Sequence, residues 1–204
     1  GLDAVRFAHV ALPELDLDAV DLSCDFLGRR VALPFLVSSM TGGPERAATI
    51  NRNLALACEA AGIALAVGSQ RVALEGGAAA GLDRSLRDLA PSIPILANFG
   101  AAQLNRGFGA DHARRAVDAI GADALIVHLN PLQEALQPEG DRDWRGLMDR
   151  IGALAQHLPV MVKEVGAGLS APVARALADR GVALFDVAGA GGTDWALVEA
   201  ERAQ

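Results

Sequence analysis

The chain has 204 residues, 51% of them hydrophobic, and a formal net charge of −7. This length allows a substantial core, and the hydrophobic content argues against disorder. No apolar stretch reaches the roughly 18 residues of a transmembrane helix, and an acidic chain without a basic run argues against nucleic-acid binding through phosphate contacts. We expect a cytoplasmic protein, because no signal-peptide pattern opens the chain and its two cysteines, Cys24 and Cys58, are too few for a disulfide framework.

A regular pattern begins at residue 34. Six short apolar runs have the length of buried strands, and they begin at Pro34, Gly62, Pro94, Gly121, Pro159 and Gly181. A proline at the first position of a strand needs no ladder donor, and a glycine suits the C-terminal cap of the preceding helix. Residues 1–33 lack this pattern and are predicted to be an N-terminal extension that packs on residues 34–204.

Helical periodicity fills the gaps between the apolar runs. Apolar residues step by three or four from Ala47 to Ala61 and again from Trp144 to Leu158. Ser170 followed by Pro172 is typical of a helix N-terminus. We expect the apolar faces of these helices to pack on a sheet.

Six apolar strands separated by helices imply an α/β fold with a parallel sheet covered on both faces. No G-x-G-x-x-G follows any of the predicted strands, which argues against an open doubly wound sheet that binds a dinucleotide. A TIM (β/α)₈ barrel is favoured, because polar groups follow nearly every strand and barrel active sites draw on many strand ends. Residues 34–204 would supply about six of the eight βα units of such a barrel.

The first three predicted strands end in groups suited to ligand contact. Ser38-Ser39-Met40-Thr41-Gly42-Gly43 follows the first strand, and small residues let backbone N–H groups face a ligand. Arg71 follows the second strand, where it can grip a phosphate or pair with a surface carboxylate. Asn98 ends the third strand. A buried asparagine needs hydrogen-bond partners, so it either contacts a ligand or holds a loop in place.

The last three predicted strands end in more reactive groups. The fourth is followed within seven residues by an imidazole, two amides and a carboxylate: His128, Asn130, Gln133 and Glu134. Glu134 can hold Mg²⁺ or stabilise a helix N-terminus. Lys163 ends the fifth strand and needs an anionic partner, which is either a ligand, Glu164 or Asp186. The sixth strand leads into the glycine-rich loop 186–193, which suits close approach of a cofactor.

Taken in order, these segments resemble the type 2 isopentenyl-diphosphate isomerases, which use FMN. The resemblance covers essentially the whole chain. The matching segments are residues 38–43, 68–71, 98–100, 128–130 with 133–134, 138–141, 163–166, and 186–193 followed by Trp195. His9 and residues 12–15 are also similar to the N-terminal part of that family.

The resemblance implies an enzyme of isoprenoid biosynthesis that interconverts isopentenyl diphosphate and dimethylallyl diphosphate. Reduced FMN would serve as the acid/base cofactor together with Mg²⁺, and NAD(P)H or another reductant would reduce it. The family's assemblies imply a homo-oligomer. Neither nucleic acid nor a membrane is an expected partner.

The resemblance also implies a role for each motif residue. FMN contacts are expected from Met40, Thr41, Gly42, Ser69, Asn98, Lys163 and Thr193. Substrate contacts are expected from Ser69, Gln70, Arg71, His128, Asn130 and Gln133. Gln133 and His128 are the expected catalytic residues, with Gln133 near the allylic carbons, and Glu134 is the expected Mg²⁺ ligand.

The sequence departs from the family in two ways, and two other functions compete with the isomerase. The family's upstream diphosphate-binding segment and its last two βα units lie outside residues 1–204, so we expect a longer protein. An FMN-dependent α-hydroxy-acid oxidase would need a histidine base and an arginine clamp on later strands, and the pattern His128-Leu129-Asn130 with Gln133-Glu134 argues against it. A non-catalytic flavin-binding module would bind FMN without turnover. No role is predicted for residues 105–109.

Overall fold

A six-stranded parallel sheet organises the part of the chain that the structure describes. The computed structural model describes residues 4–41, 45–79 and 81–202. The six strands pair strictly in chain order, each with the next. They are β3 (Leu36–Val37), β4 (Ala64–Ala66), β5 (Ile95–Gly100), β6 (Ala124–Leu129), β7 (Val160–Glu164) and β8 (Leu184–Asp186). Because all six run parallel, their carboxyl ends meet at one edge of the sheet.

Helices connect successive strands and cover the sheet. They are α1 (Glu45–Ala61), α2 (Arg71–Leu74), α3 (Ser85–Leu89), α4 (Ala110–Ile120), α5 (Pro131–Leu136), α6 (Leu147–Ala155), α7 (Ala171–Ala178) and α8 (Trp195–Arg202). Short 3₁₀ turns span Leu17–Ala19 and Ala101–Arg106. The second turn takes in part of the segment 105–109.

The six predicted strands are all present, and each begins within three residues of its predicted start. Two of the predicted glycine caps are present at helix ends. Gly62 follows α1 at φ +64°, and Gly121 follows α4 at φ +62°. This left-handed conformation is one that glycine adopts without steric cost, so the chain can turn directly from helix to strand.

The expectation of a TIM (β/α)₈ barrel is wrong for this structure. The described residues form an open six-stranded sheet with β3 and β8 at its edges, and a separate two-stranded antiparallel sheet lies beside it. Six strands in this register do not return to their starting point, so the sheet does not close. Polar residues at strand ends do not distinguish a barrel from an open parallel sheet, because ligands bind at the carboxyl ends of the strands in both folds.

The antiparallel sheet is a hairpin of β1 (Cys24–Phe26) and β2 (Arg29–Val31), which the sequence did not predict. Leu27 and Gly28 form its turn with φ of 51° and 75°, which suits the right-handed twist of the two strands. Phe26 and Leu27 pack against a small apolar cluster on the sheet. Residues 4–22 lie exposed, with Phe7 at 95%.

The main core lies between the sheet and its helices. It includes Leu65, Ile95, Phe99 and Leu125, all essentially inaccessible to solvent. All six residues of β5, one of the two central strands, are buried. No helix among the described residues is long and apolar enough to cross a membrane.

Candidate functional site

Two adjoining cavities open at the carboxyl edge of the sheet. The first has a volume of about 270 Å³ and is lined by Ser39, Met40, Gly68, Ser69, Arg71, Val72, Asn98, His128, Gln133, Lys163, Val165 and Trp195. The second has a volume of about 320 Å³ and is lined by Ser38, Met40, Lys163, Val165, Asp186, Ala188, Gly189, Gly192, Thr193 and Trp195. Met40, Lys163, Val165 and Trp195 belong to both, so the two cavities share a wall.

The residues predicted from the sequence divide between these cavities. Four of the six expected substrate contacts line the first cavity: Ser69, Arg71, His128 and Gln133. Thr193, an expected cofactor contact, lines the second cavity together with Met40 and Lys163. Asn98 lines the first cavity. Gly42 lies outside the described residues.

The remaining predicted residues lie near the cavities without lining them. The carbonyl oxygen of Thr41 accepts a hydrogen bond from the backbone N–H of Gly68 at 3.0 Å, which ties the first strand-end loop to the second. Asn130 bonds to the lining residue Gln133 and to Glu134. Gln70 is buried, at 2% exposed, and stands in the sequence between the lining residues Ser69 and Arg71.

His128 lies on β6 and is held by Asn98 of the neighbouring strand β5. Its Nδ1 donates to Asn98 Oδ1 at 2.8 Å. Burial, and then the positive charge of Lys163, lower the pKa of His128 to about 4. The imidazole is therefore neutral at neutral pH, with the proton on Nδ1 and a lone pair on Nε2.

A glycine on β5 makes room for this imidazole. Gly100 pairs with His128 across the two strands, and a Cβ added to Gly100 would lie 2.8 Å from His128 Nε2. The same Cβ would also collide with Gln103 Oε1. A side chain at position 100 would therefore push the imidazole out of place.

Lys163 provides a buried positive charge between the two cavities. Its side chain is 8% exposed, and its Nζ lies 3.1 Å from Asp186 Oδ2 on the next strand. Ser38 Oγ donates to the same oxygen at 2.8 Å, and the backbone N–H of Ala188 donates to Oδ1 at 3.1 Å. The Lys163–Asp186 pair, one of the partners considered from the sequence, is thus present, and the ammonium group still faces both cavities.

A second polar cluster surrounds Gln133 at the start of α5. Asn130 Nδ2 lies within hydrogen-bond distance of Gln133 Oε1 (3.2 Å) and Glu134 Oε1 (2.8 Å), and donates to both. Gln133 Nε2 donates to Glu199 Oε1 at 3.3 Å. These contacts orient the Gln133 amide before any ligand binds.

Glu199 is a site residue that the sequence reasoning missed. It is buried on α8, one helical turn after Trp195, and also pairs with Arg202 at 3.1 Å. Although burial raises it, the hydrogen bonds from Gln137 and Gln133 and the charge of Arg202 hold its pKa below the ordinary value. The helical spacing Trp195–Glu199 was the available signal, since residues i and i+4 share a helix face.

Glu134 is the one predicted metal ligand. No group of three or more His, Cys, Asp or Glu side chains able to hold a metal occurs within residues 4–41, 45–79 and 81–202. Glu134 Oε1 accepts from Asn130, and its Oε2 accepts from the backbone N–H of Asp141 at 2.7 Å. Each carboxylate oxygen keeps a second lone pair. The residues therefore fit a Mg²⁺ ion held by one carboxylate, with water and phosphate oxygens in its other positions.

Two buried polar atoms among the described residues lack a hydrogen-bond partner in the protein: Ser39 Oγ and Asn130 Oδ1. Leaving such an atom unpaired costs about 1–3 kcal/mol. Ser39 lines the first cavity, and Asn130 adjoins Gln133. Their position fits a site that is completed by a polar ligand.

Fold and site together define an α/β protein with a ligand cleft at the carboxyl edge of a parallel sheet. Over 99% of its length, the chain is 66% identical to "Isopentenyl-diphosphate delta-isomerase" of Xanthobacter autotrophicus. It is 64% identical over 100% of its length to the protein of that name from Stutzerimonas stutzeri, and 52% identical over 99% to that from Synechocystis sp.. The chain covers 60%, 59% and 58% of these relatives, so it spans about three fifths of their length. No family model matches the chain.

Solved structures show similarity of fold. A mandelate oxidase variant superposes with a TM-score of 0.56 at 19% identity, covering 83% of this chain and 51% of that chain. A second mandelate oxidase structure gives a TM-score of 0.51 at 19% identity, covering 83% and 53%. At this level of identity the likeness concerns the fold alone.

These comparisons correct the resemblance to the type 2 subfamily. The relatives at 52–66% identity have the name isopentenyl-diphosphate delta-isomerase, which specifies neither a type nor a flavin. The oxidase structures are too distant to supply either specification. The comparisons therefore show similarity to proteins of this broader name and do not support the type 2 specification.

Proposed function

We propose that this chain belongs to an enzyme that interconverts isopentenyl diphosphate and dimethylallyl diphosphate. The observation that supports this most is the composition of the first cavity. Arg71 and Lys163 offer groups that bind phosphate oxygens, while Met40 and Trp195 supply an apolar wall for a five-carbon chain. The identity to isopentenyl-diphosphate delta-isomerases over the whole chain agrees with this chemistry.

Each side of the cavity has a distinct task in this proposal. Arg71 and Ser69 bind the diphosphate at the open side, where Arg71 now pairs with Glu75 at 3.2 Å and can exchange that partner for phosphate. His128 contacts the substrate through Nε2, which can accept a proton or a hydrogen bond. Gln133, held by Asn130 and Glu199, orients the carbon skeleton for proton transfer.

The proposal includes FMN in the second cavity. Gly189 and Gly192 allow close approach of a ring there, and Thr193 and Lys163 can bond to its polar edge. When bound and reduced by NAD(P)H, FMN supplies acid/base chemistry without net redox change. The Lys163 ammonium group would balance negative charge on the reduced ring, and Met40 and Trp195 would separate the ring from water.

The proposal also includes Mg²⁺, with Glu134 as its protein ligand. Glu134 would hold the ion, which would neutralise negative charge on the diphosphate, the usual role of Mg²⁺ with phosphate substrates. We further propose a cytoplasmic homo-oligomer, which sedimentation of the purified protein and fractionation of the cells test.

The deciding experiment measures turnover of the protein reduced anaerobically in the presence of FMN and Mg²⁺. Isopentenyl diphosphate is added and the formation of dimethylallyl diphosphate is followed. We expect turnover with the reduced cofactor and none with the oxidised one. Reduction of the flavin by a hydroxy acid without isomerisation would point to an oxidase, and bound flavin with neither reaction to a binding module.

A further inference from the structure

Gln70 is the N-cap residue of α2 and stands in the sequence between Ser69 and Arg71, which line the first cavity. Its side chain is 2% exposed. Both ends of its amide are bonded to the protein, because Nε2 donates to the carbonyl of Ala116 and Oε1 accepts from the backbone N–H of Asn98, each at 3.0 Å. Its backbone N–H donates to the carbonyl of Asn98 at 2.8 Å. Gln70 is thus committed to internal contacts and does not line either cavity.

Through these contacts Gln70 bonds to both backbone groups of Asn98, the N–H and the carbonyl. Strand β4 pairs with β5 as far as Ala66 and Leu96, and the Val67 N–H donates to the Leu96 carbonyl, so this pairing ends two residues before Asn98. Gln70 takes its place and satisfies the N–H and the carbonyl of Asn98. Because an unpaired buried backbone group is costly, these two bonds fix the peptide groups on either side of Asn98. They thereby fix the direction of its side chain.

The side chain of Asn98 in turn determines the state of His128. Its Oδ1 only accepts hydrogen bonds, so the His128 nitrogen that faces it, Nδ1, carries the proton. The charged group that faces the ring is Lys163 on β7, while β5 contributes the uncharged Asn98 and Gly100. Within the described residues, the Asn98 side chain is therefore the contact that selects the ring nitrogen bearing the proton.

We propose that Gln70 is a positioning residue for His128: through Asn98 it fixes the orientation of the imidazole and the nitrogen that holds its proton, and it does not bind the diphosphate. The kinetic consequence rests on the proposed function, in which His128 contacts the substrate. The effect of Gln70 on the orientation and protonation of the His128 ring does not depend on the proposed function.

The test replaces Gln70 by methionine, which keeps the volume and removes both side-chain hydrogen bonds. Nitrogen-15 NMR of the His128 ring should show the proton fixed on Nδ1 in the unmodified protein and distributed between the two nitrogens in Gln70→Met. We expect kcat/KM for isopentenyl diphosphate to fall on the order of 100-fold, as for a misplaced active-site group, with its dissociation constant nearly unchanged. Gln156→Met is the matched control, since Gln156 is exposed and bonds to the Arg180 carbonyl.

A conservative variant covers the case in which Gln70→Met does not fold. In Gln70→Glu, a protonated carboxyl group can accept from the Asn98 N–H and donate to the Ala116 carbonyl, so the ring signature of His128 should be retained. An unchanged ring signature in Gln70→Met, or its loss in a folded Gln70→Glu, overturns the proposal. So does a rise in the dissociation constant that matches the loss of kcat/KM, because it would make Gln70 a substrate ligand. If the unmodified protein neither binds nor converts isopentenyl diphosphate, the proposed function fails, while the ring measurement still decides the role of Gln70.

Discussion

His128 makes the folded state sensitive to acid. Burial and the charge of Lys163 lower its pKa from 6.5 to about 4. Between these two values the unfolded chain binds a proton that the folded chain does not, so the free energy of unfolding falls as the pH is lowered through this window. In His128→Asn, this part of the pH dependence, up to about 3 kcal/mol, should disappear. Urea unfolding at several pH values between 6.5 and 4 measures it.

The matched control is His157→Asn, because His157 is an exposed histidine at the end of α6. It should leave the slope of stability against pH as it is in the unmodified protein. If His128→Asn keeps the full slope, another group is responsible for the acid sensitivity, and a neutral buried His128 is not the state of the folded protein.

Glu134→Gln tests the proposed Mg²⁺ ligand. An amide is a poor ligand for Mg²⁺ compared with a carboxylate, so the Mg²⁺ concentration needed for half-maximal turnover should rise about tenfold or more. FMN affinity should not change, because Glu134 does not line the second cavity. Glu139→Gln, an exposed carboxylate on the following turn, is the control. An unaltered Mg²⁺ dependence in Glu134→Gln would remove Glu134 from the metal site.

Several site residues were predictable because each lies in the last residues of a buried strand or within five residues after one. Ser69, Arg71, His128 and Lys163 belong to this group, and all four line the first cavity. Glu199 is different, since it reaches Gln133 across 66 positions of sequence. That contact depends on how α5 and α8 pack together, which no local pattern specifies.

At the scale of elements, Asp123 joins the N-terminal hairpin to the sheet. Its carboxylate accepts from Arg29 Nε on β2 at 2.8 Å and from an Arg87 guanidinium nitrogen on α3 at 2.6 Å. It also accepts from the backbone N–H of Ile95 at 2.8 Å. One side chain therefore holds three elements at the amino edge of the sheet.

Asp123→Asn should destabilise the protein by about 3 kcal/mol, because it leaves the buried Arg87 without its counter-charge. Asp149→Asn is the control, since it removes an exposed partner of Arg180 and should cost less than about 1 kcal/mol. Denaturant unfolding of both variants at neutral pH gives the comparison. Equal losses would mean that the Asp123 network does not hold the hairpin in place.

The elements differ in how well the sequence predicts them. The parallel strands were found because proline or glycine marks the start of each apolar run and fixes where the preceding helix ends. The hairpin was missed, since β1 and β2 have three residues each and its turn, Leu27-Gly28, lacks the usual Asn-Gly or Asp-Gly signal. Trp144 was predicted within a helix, but α6 begins at Leu147.

At the scale of the whole molecule, closure of the sheet was beyond what strand patterns specify. Local periodicity determines that a strand is buried and parallel, whereas closure depends on the number of strands, their stagger and their tilt. Six strands in sequential order satisfy the same local pattern in an open sheet and in a barrel. The cleft was nevertheless predictable, because both arrangements gather the carboxyl ends of the strands.

The shared wall between the two cavities has a consequence for binding. Trp195, Met40 and Lys163 contact whatever occupies either cavity, so one ligand should order this wall for the other. We expect FMN to lower the dissociation constant of isopentenyl diphosphate about fivefold or more, and the diphosphate to lower that of FMN by the same factor. Calorimetric titrations in both orders measure the two factors, which thermodynamics requires to be equal.

Trp195→Ala should abolish this coupling, because it removes the largest side chain of the shared wall. Trp144→Phe serves as the control, since Trp144 donates to the Asp141 carbonyl and lines neither cavity. Independent binding of the two ligands in the unmodified protein would show that the cavities act separately. In that case the shared wall would position each ligand independently of the other. The arrangement of the two cavities would then no longer support a single reaction site that requires both ligands.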